Sequence, residues 1–71
     1  MDILVFKTSV TQAQQVSKVK TLLTSIPAVI KWNFDLDDPD NILRVIADQL
    51  SPRQVESVLQ TAGFSCQELD D

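Results

Sequence analysis

The chain contains no histidine, no tyrosine, one cysteine and one glycine, and these scarcities exclude several classes of function. Without histidine, the cysteine has no imidazole partner for catalysis or for a shared metal site. A single cysteine cannot close an internal disulfide, so a reducing cytoplasm is the expected compartment. The single glycine leaves no glycine-rich nest for phosphate. Catalysis is therefore not expected.

Basic residues are also few, and no hydrophobic run is long. Six lysines and arginines stand against ten acidic residues, which gives a formal net charge of −4. Binding to nucleic acid or to an anionic membrane needs a cationic surface, so neither is expected. No apolar stretch reaches the ~20 residues that span a bilayer, and Met1-Asp2 lacks the basic start of a secretory signal. With 71 residues, the chain is predicted to form one domain, 1–71.

The first part of the chain predicts a strand followed by a helix. The apolar, β-branched segment from Ile3 to Ser9 is typical of a strand. Thr11 and Gln14 have the spacing of a capping box, which predicts a helix that starts at Thr11. Pro27 ends this helix, because the residue before a proline avoids the α region. One face of the helix is apolar and consists of Val16, Val19, Leu23 and Ile26.

The middle of the chain predicts a β-hairpin. Apolar residues alternate with polar ones in its first strand, at Ile30, Trp32, Phe34 and Leu36. The polar segment 37–41 reads as a turn. Ile42 to Ala47 then forms the returning strand.

A second helix and a last strand complete the predicted elements. Ser51, with Pro52 at the first helical position and Gln54 at the third, predicts another capping box. Gly63 occupies the position of a left-handed residue after the helix. Phe64 can then fold back on the helix before a strand that reaches Leu69. The apolar face of this helix is Val55, Val58, Leu59 and Ala62.

The order β-α-β-β-α-β predicts an α+β, ferredoxin-like fold. Right-handed crossovers place both helices on one face of a four-stranded antiparallel sheet with strand order 4-1-3-2. The other face of the sheet stays open. The alternation of residues in the strands predicts which side chains build the core under the helices, namely Leu4, Phe6, Trp32, Phe34, Leu43, Val45 and Phe64.

Three segments of the chain resemble a known family. These are residues 19–29 (VKTLLTSIPAV), the alternating strand up to Leu36, and residues 59–64 (LQTAGF). Together they resemble the heavy-metal-associated domain of copper chaperones and metal-transporting ATPases, over nearly the whole chain. In that family a Met-x-Cys-x-x-Cys loop joins the first strand to the first helix. The resemblance places its methionine on Val10 and its two cysteines on Gln12 and Gln15.

All three positions of that metal-binding loop are replaced in this chain. Two thiolates at i and i+3 can hold Cu(I) or contribute half of a zinc site, whereas glutamine offers only neutral amide groups. We therefore expect no cofactor and no tight binding of Cu(I) or Zn(II) at Gln12 and Gln15. A glutamine-rich first turn also serves simply as a helix cap.

Two other places could hold a metal, and both have a structural explanation. Cys66 shares the inward face of the last strand with Phe64, which favours a small core residue. The acidic segment Asp35–Asp40 lacks the glycine and the glutamate of a calcium loop, which favours a solvated hairpin tip. Weak divalent binding at this tip stays open. A metal-handling role also stays open, in which Cys66 or the acidic segment binds metal between two chains, or the chain presents a surface to a metal transporter without carrying metal.

The open side of the sheet is predicted to be unusually apolar. The alternation that sends Phe6 inward sends five aliphatic residues outward: Ile3, Val5, Ile42, Ile46 and Leu69. Such a patch is typical of a partner surface, unless the stems of Lys7, Lys31 and Arg44 cover it. We therefore predict a non-catalytic interaction or regulatory module that binds a protein partner, or a second copy of itself, through this face.

Overall fold

The computed structural model describes residues 1–69 and contains four strands and two helices. In chain order they are β1 (Asp2–Thr8), α1 (Ala13–Thr24), β2 (Val29–Asp35), β3 (Ile42–Ala47), α2 (Pro52–Thr61) and β4 (Cys66–Glu68). The sheet has the order β2-β3-β1-β4, and every neighbouring pair is antiparallel. The predicted ferredoxin-like fold and strand order are confirmed. Residues 70 and 71 of the predicted domain lie outside the described residues.

The core lies between the sheet and the two helices, where the alternation placed it. Phe6, Leu43 and Val45 are fully buried, and Leu4 nearly so. The helices contribute Val19, Leu23, Val55 and Leu59 to the same cluster. Trp32, Phe34 and Phe64 are partly buried against it. The predicted inward face is therefore correct for all seven residues.

The start of α1 differs from the prediction by one residue. The residue that caps the helix is Gln12, not Thr11, and the third helical position is Gln15, not Gln14. The side-chain oxygen of Gln15 accepts the backbone N–H of Gln12, as the acidic or amide member of a capping box does. A glutamine stands at both 14 and 15, so the spacing alone allowed two registers, and the tertiary fold selected the later one.

A β-bulge in β2 corrects the predicted alternation at Ile30. Val29 pairs with Ala47 and Lys31 pairs with Ile46, so two residues of β2 lie opposite one residue of β3. The extra residue, Ile30, is 60% exposed instead of facing the core with Trp32. A bulge shifts the alternation by one residue, and the pattern of apolar residues does not reveal this.

Both ends of α2 agree with the sequence prediction. The Ser51 hydroxyl accepts the N–H of Arg53, and the Gln54 side chain accepts the N–H of Ser51. At the other end, the N–H of Phe64 bonds to the carbonyl of Leu59 and that of Gly63 to the carbonyl of Gln60. These two bonds define a Schellman motif, which requires a left-handed residue at the position of Gly63.

We expect Gly63→Ala to lower the melting temperature by several degrees, as followed by circular dichroism. Gly63 has φ +97, and an added Cβ would meet no atom within 4 Å. The effect therefore comes from backbone strain, about 1–2 kcal/mol, and not from a clash. Gly63→Asn should lose less stability, because asparagine tolerates the left-handed region better. Equal losses in the two variants would contradict this explanation.

Neither helix of the described residues has the length and apolar character that crossing a membrane requires.

Candidate functional site

The loop between β1 and α1 is fixed to the hairpin end of the sheet by Thr8. This buried threonine donates its hydroxyl proton to the carbonyl of Asn41 at 2.8 Å and accepts the N–H of Val10 at 3.1 Å. Its own N–H bonds to the carbonyl of Asp40. Sequence analysis missed Thr8, because its partners Asp40 and Asn41 are more than thirty positions away and no local pattern marks them.

A second set of bonds fixes the same loop to the segment before β4. The N–H of Ser9 bonds to the carbonyl of Ser65, and the N–H of Ser65 bonds to the Ser9 hydroxyl at 2.9 Å. Val10 follows and is fully buried. It fills, with a smaller side chain, the position where the resemblance places a methionine. The backbone that leads into α1 is therefore held from both sides.

Gln15 occupies the polar groups at the start of α1. Its side-chain oxygen Oε1 accepts the backbone N–H of Thr11 at 2.8 Å and that of Gln12 at 3.1 Å. The Thr11 hydroxyl also donates to it, at 3.3 Å. Free N–H groups at a helix start are the usual partners of an anion. Here the neutral side chain of Gln15 takes the N–H of the N-cap residue Gln12, together with the N–H of Thr11, which precedes the helix.

The groups at this loop do not fit a thiolate-bound metal. Gln12 lies at the N-cap and Gln15 at the third position of α1, so their i and i+3 spacing across the helix start matches the geometry that the resemblance implies. However, both offer neutral amides, which are weak ligands for Cu(I) and Zn(II). The acceptor atom of Gln15 is moreover engaged by the protein itself. We derive no metal chemistry at this position.

Cys66 is a core residue. Its side chain is only 3% exposed and belongs to the hydrophobic cluster. Burial raises the pKa of the Cys66 thiol to about 12, and the carboxylate of Glu56 adds to this rise. A thiol binds metal or acts as a nucleophile only as the thiolate. At neutral pH Cys66 is therefore protonated. This agrees with the prediction that it is a small core residue.

The acidic turn between β2 and β3 is stabilised by its own backbone. One oxygen of Asp38 accepts the N–H of Asp40 at 2.9 Å, and the N–H of Asn41 bonds to the carbonyl of Asp38. Asn41 has φ 49, in the left-handed region that asparagine tolerates. Within residues 1–69, no three histidine, cysteine or acidic side chains are grouped so that they could hold a metal ion.

The side of the sheet away from the helices, which we call the open sheet face, carries four accessible aliphatic residues. Ile3 is 69% exposed and Leu69 37%, while Val5 and Ile46 are half-buried. Ile3 pairs with Ile46, and the N–H of Leu69 bonds to the carbonyl of Val5, so the four lie close together. Three exposed cations, Lys7, Lys31 and Arg44, share this face.

Ile42 was predicted to belong to the exposed surface, but it is buried. Its pairing with Lys7 and Asp35 puts it in the register of the open sheet face, but it is only 6% exposed. Ile42 lies at the hairpin end of the sheet between these two neighbours, and a long side chain such as that of Lys7 covers apolar surface with its stem. It therefore supports the sheet and is not part of an accessible surface.

Known proteins share the fold of this chain, although none is similar enough to be found from its sequence. No protein-family model and no curated protein matches the chain by sequence. Among solved structures, a yeast copper transporter domain is 20% identical, with a TM-score of 0.82 over 97% of this chain and 96% of its own. The N-terminal domain of ZntA in its apo form is 28% identical, with a TM-score of 0.82 over 96% of this chain and 92% of its own.

A third neighbour is the copper(I)-loaded first domain of the human copper chaperone CCS. It is 21% identical and has a TM-score of 0.76 over 93% of this chain and 89% of its own. These neighbours are heavy-metal-associated domains, so the resemblance seen in the sequence is confirmed. The chain thus has the heavy-metal-associated fold, with one cysteine in its whole length and glutamines at the two positions where the resemblance places the metal-binding cysteines.

Proposed function

We propose that residues 1–71 form a single, non-catalytic interaction module that keeps the heavy-metal-associated fold and has lost the thiolate metal site. The hydrogen bonds at the start of α1 are the observation that carries this proposal. Gln15 Oε1 accepts three hydrogen bonds from Thr11 and Gln12, so this position serves the helix and not a metal. The only thiol of the chain is buried and protonated, which also removes the best candidate nucleophile.

The alternative, a metal-handling protein that binds metal between two chains, needs accessible ligands. Cys66 would have to lose a proton at a pKa of about 12 and leave the core to reach a second chain. In the acidic turn, Asp38 already accepts a backbone hydrogen bond. Neither place offers the soft, ionised ligands that copper or zinc prefers. The interaction module is therefore the better supported function.

The open sheet face is the surface that we assign to this function. Ile3 exposes most of its side chain there, next to Ile46, Val5 and Leu69. Exposed aliphatic side chains that adjoin one another favour contact with another protein over contact with water. The partner is therefore a protein. The compartment in which the two meet is the cytoplasm, because a chain with a single thiol needs no disulfide.

The wild-type chain is expected to lose Cu(I) to a chromophoric chelator of micromolar affinity, and Zn(II) likewise. The reason is the pair of neutral amides at Gln12 and Gln15, where thiolates would be needed. The measurement is a competition titration under reducing conditions, read from the absorbance of the chelator complex. Retention of one equivalent of copper by the chain would contradict the loss of the metal site.

A further inference from the structure

The open sheet face is more cationic than the rest of this acidic protein. The strand register puts Arg44 between Val5 on one side and Asn33 on the other, and Lys31 beside Ile46. Lys7 lies on the same face, opposite Ile42. Half of the six basic residues of the chain are thus on this face, although the whole chain has a net charge of −4. Asp35, at the corner beside Ile42, is the only acidic residue that the described register places there.

Two of these cations border a shallow groove. Its lining includes Ile3 and Ile46 together with Lys31 and Arg44. Ile3 and Ile46 are direct partners across β1 and β3, so they offer a continuous aliphatic surface. An aliphatic side chain can pack on this surface while carboxylates beside it pair with the two cations. The lining therefore suits a segment that is both apolar and acidic.

A second copy of the chain fits this surface poorly. A two-fold dimer brings the same patch of both subunits together. Here it would bring together two faces that each carry Lys31 and Arg44, and the juxtaposition of like charges at an interface costs several kcal/mol. The charge of the face is complementary to an acidic surface and not to itself.

Nucleic acid is also a poor match. Sheet faces that bind single strands use exposed aromatic side chains as stacking platforms. Phe6 is fully buried, and the other three aromatic residues, Trp32, Phe34 and Phe64, pack against the core. Trp32 also contributes to the lining of the groove, but its pairing with Val45 in β3 puts its side chain on the helix side of the sheet. The face offers aliphatic contacts and point charges instead.

We propose that the open sheet face binds an acidic, aliphatic protein segment, which seats apolar side chains on Ile3 and Ile46 and pairs carboxylates with Lys31 and Arg44. This inference rests on the proposed interaction function and adds the chemistry of the partner. Three strands of six or seven residues and one of three residues, about 4.8 Å apart, give a face of roughly 350 Å². That is less than half of the ~800 Å² per partner in a stable complex. The contact is therefore weak, and electrostatic attraction contributes much of its specificity.

The test uses a short, capped peptide of glutamate and leucine, titrated into the isotope-labelled full chain and followed by nuclear magnetic resonance. The matched peptide has lysine in place of every glutamate. We expect the acidic peptide to shift the amide signals of Lys31, Arg44 and Ile46, and the basic peptide to shift none of them. Binding should weaken as the Debye length falls from about 30 Å to about 8 Å between ~0.01 M and ~0.15 M salt.

Charge reversal locates the contact. Lys31→Glu with Arg44→Glu should weaken binding of the acidic peptide by about tenfold or more. Lys20→Glu with Arg53→Glu makes the same change in net charge on exposed positions of the helices, and it should weaken binding by no more than about threefold. If the first variant does not fold, Lys31→Gln with Arg44→Gln replaces it.

Several results would overturn the proposal. These are no binding of the acidic peptide at low salt, equal losses in the two charge-reversal variants, or tighter binding of single-stranded DNA or phosphatidylserine vesicles than of the peptide. Self-association that Val5→Lys with Ile46→Lys abolishes, and that charge reversal leaves unchanged, would also overturn it. That last result would keep the interaction module itself, whereas tight Cu(I) binding by the wild type would reject the proposed function.

Discussion

The double variant Gln12→Cys with Gln15→Cys is expected to bind Cu(I) stoichiometrically under reducing conditions. The two positions are the N-cap and the third residue of α1, so the new thiols lie at i and i+3 across the helix start. The dipole of the helix and its free N–H groups lower the pKa of thiols there and favour the thiolate that metal binding needs. Two thiolates supply a complete site for Cu(I).

The structure gives two further reasons for this expectation. Removing Gln15 Oε1 releases the N–H groups of Thr11 and Gln12, which can then stabilise a thiolate. The loop that carries the new thiols is held by the hydrogen bonds of Thr8 and Ser9, and neither residue is changed. Val10, in place of a larger buried methionine, is expected to leave the site weaker than in copper chaperones.

The measurement is the same chelator competition that we propose for the wild type. Gln12→Ser with Gln15→Ser is the matched control, because serine has the size of cysteine and lacks the soft ligand. Each single cysteine variant should gain little, since one thiolate leaves the two-coordinate site incomplete. A lost cap costs about 0.5–2 kcal/mol, so folding is checked by circular dichroism. A folded double variant with the copper affinity of the wild type would show that the loop alignment is wrong.

Two neighbouring residues of β3 are expected to respond in opposite ways to lysine. Val45 is fully buried under the helices, whereas Ile46 lies half-exposed on the open sheet face. A charge buried without a partner costs several kcal/mol, and a domain of this size has only about 3–5 kcal/mol of net stability. We therefore expect Val45→Lys to be unfolded at room temperature.

On the other face, Val5→Lys with Ile46→Lys should remain folded, because both lysines can extend their charge into water. Urea titrations followed by circular dichroism at helical wavelengths make the comparison. The double variant should show a cooperative transition near that of the wild type, and Val45→Lys should show none. Unfolding of the double variant would mean that the two faces of the sheet have been assigned the wrong way round.

How much the sequence could predict depended on how local the decisive interactions are. The Ser51 cap and the Gly63 turn were predicted correctly, because each uses residues within a few positions of one another. The cap of α1 was misplaced by one residue, because Gln14 and Gln15 are equally suitable by local chemistry. In the structure Gln15 reaches back, and the loop before it is bonded to Asn41 and Ser65, which lie far away in the sequence.

The candidate surface was predicted in part for the same reason. Ile3, Val5, Ile46 and Leu69 lie on the predicted face, since alternation along a strand is a local property. Ile42 follows the same alternation and is nevertheless buried, because burial depends on which side chains lie across the neighbouring strands. Ile30 was misplaced because a bulge depends on the pairing of two strands and not on one of them.

By itself, the sequence determined the order of the elements and the faces of the helices and strands, and its family resemblance placed glutamines at the two positions of the metal-binding cysteines. The elements and their faces follow from periodicity and capping residues, which act over a few residues. The tertiary structure alone decided that Gln15 takes the N–H groups of Thr11 and Gln12, that burial keeps Cys66 protonated, and that Lys31 and Arg44 line one groove with Ile3 and Ile46. These depend on contacts between segments far apart in the chain, where packing and strand register choose among locally equivalent arrangements.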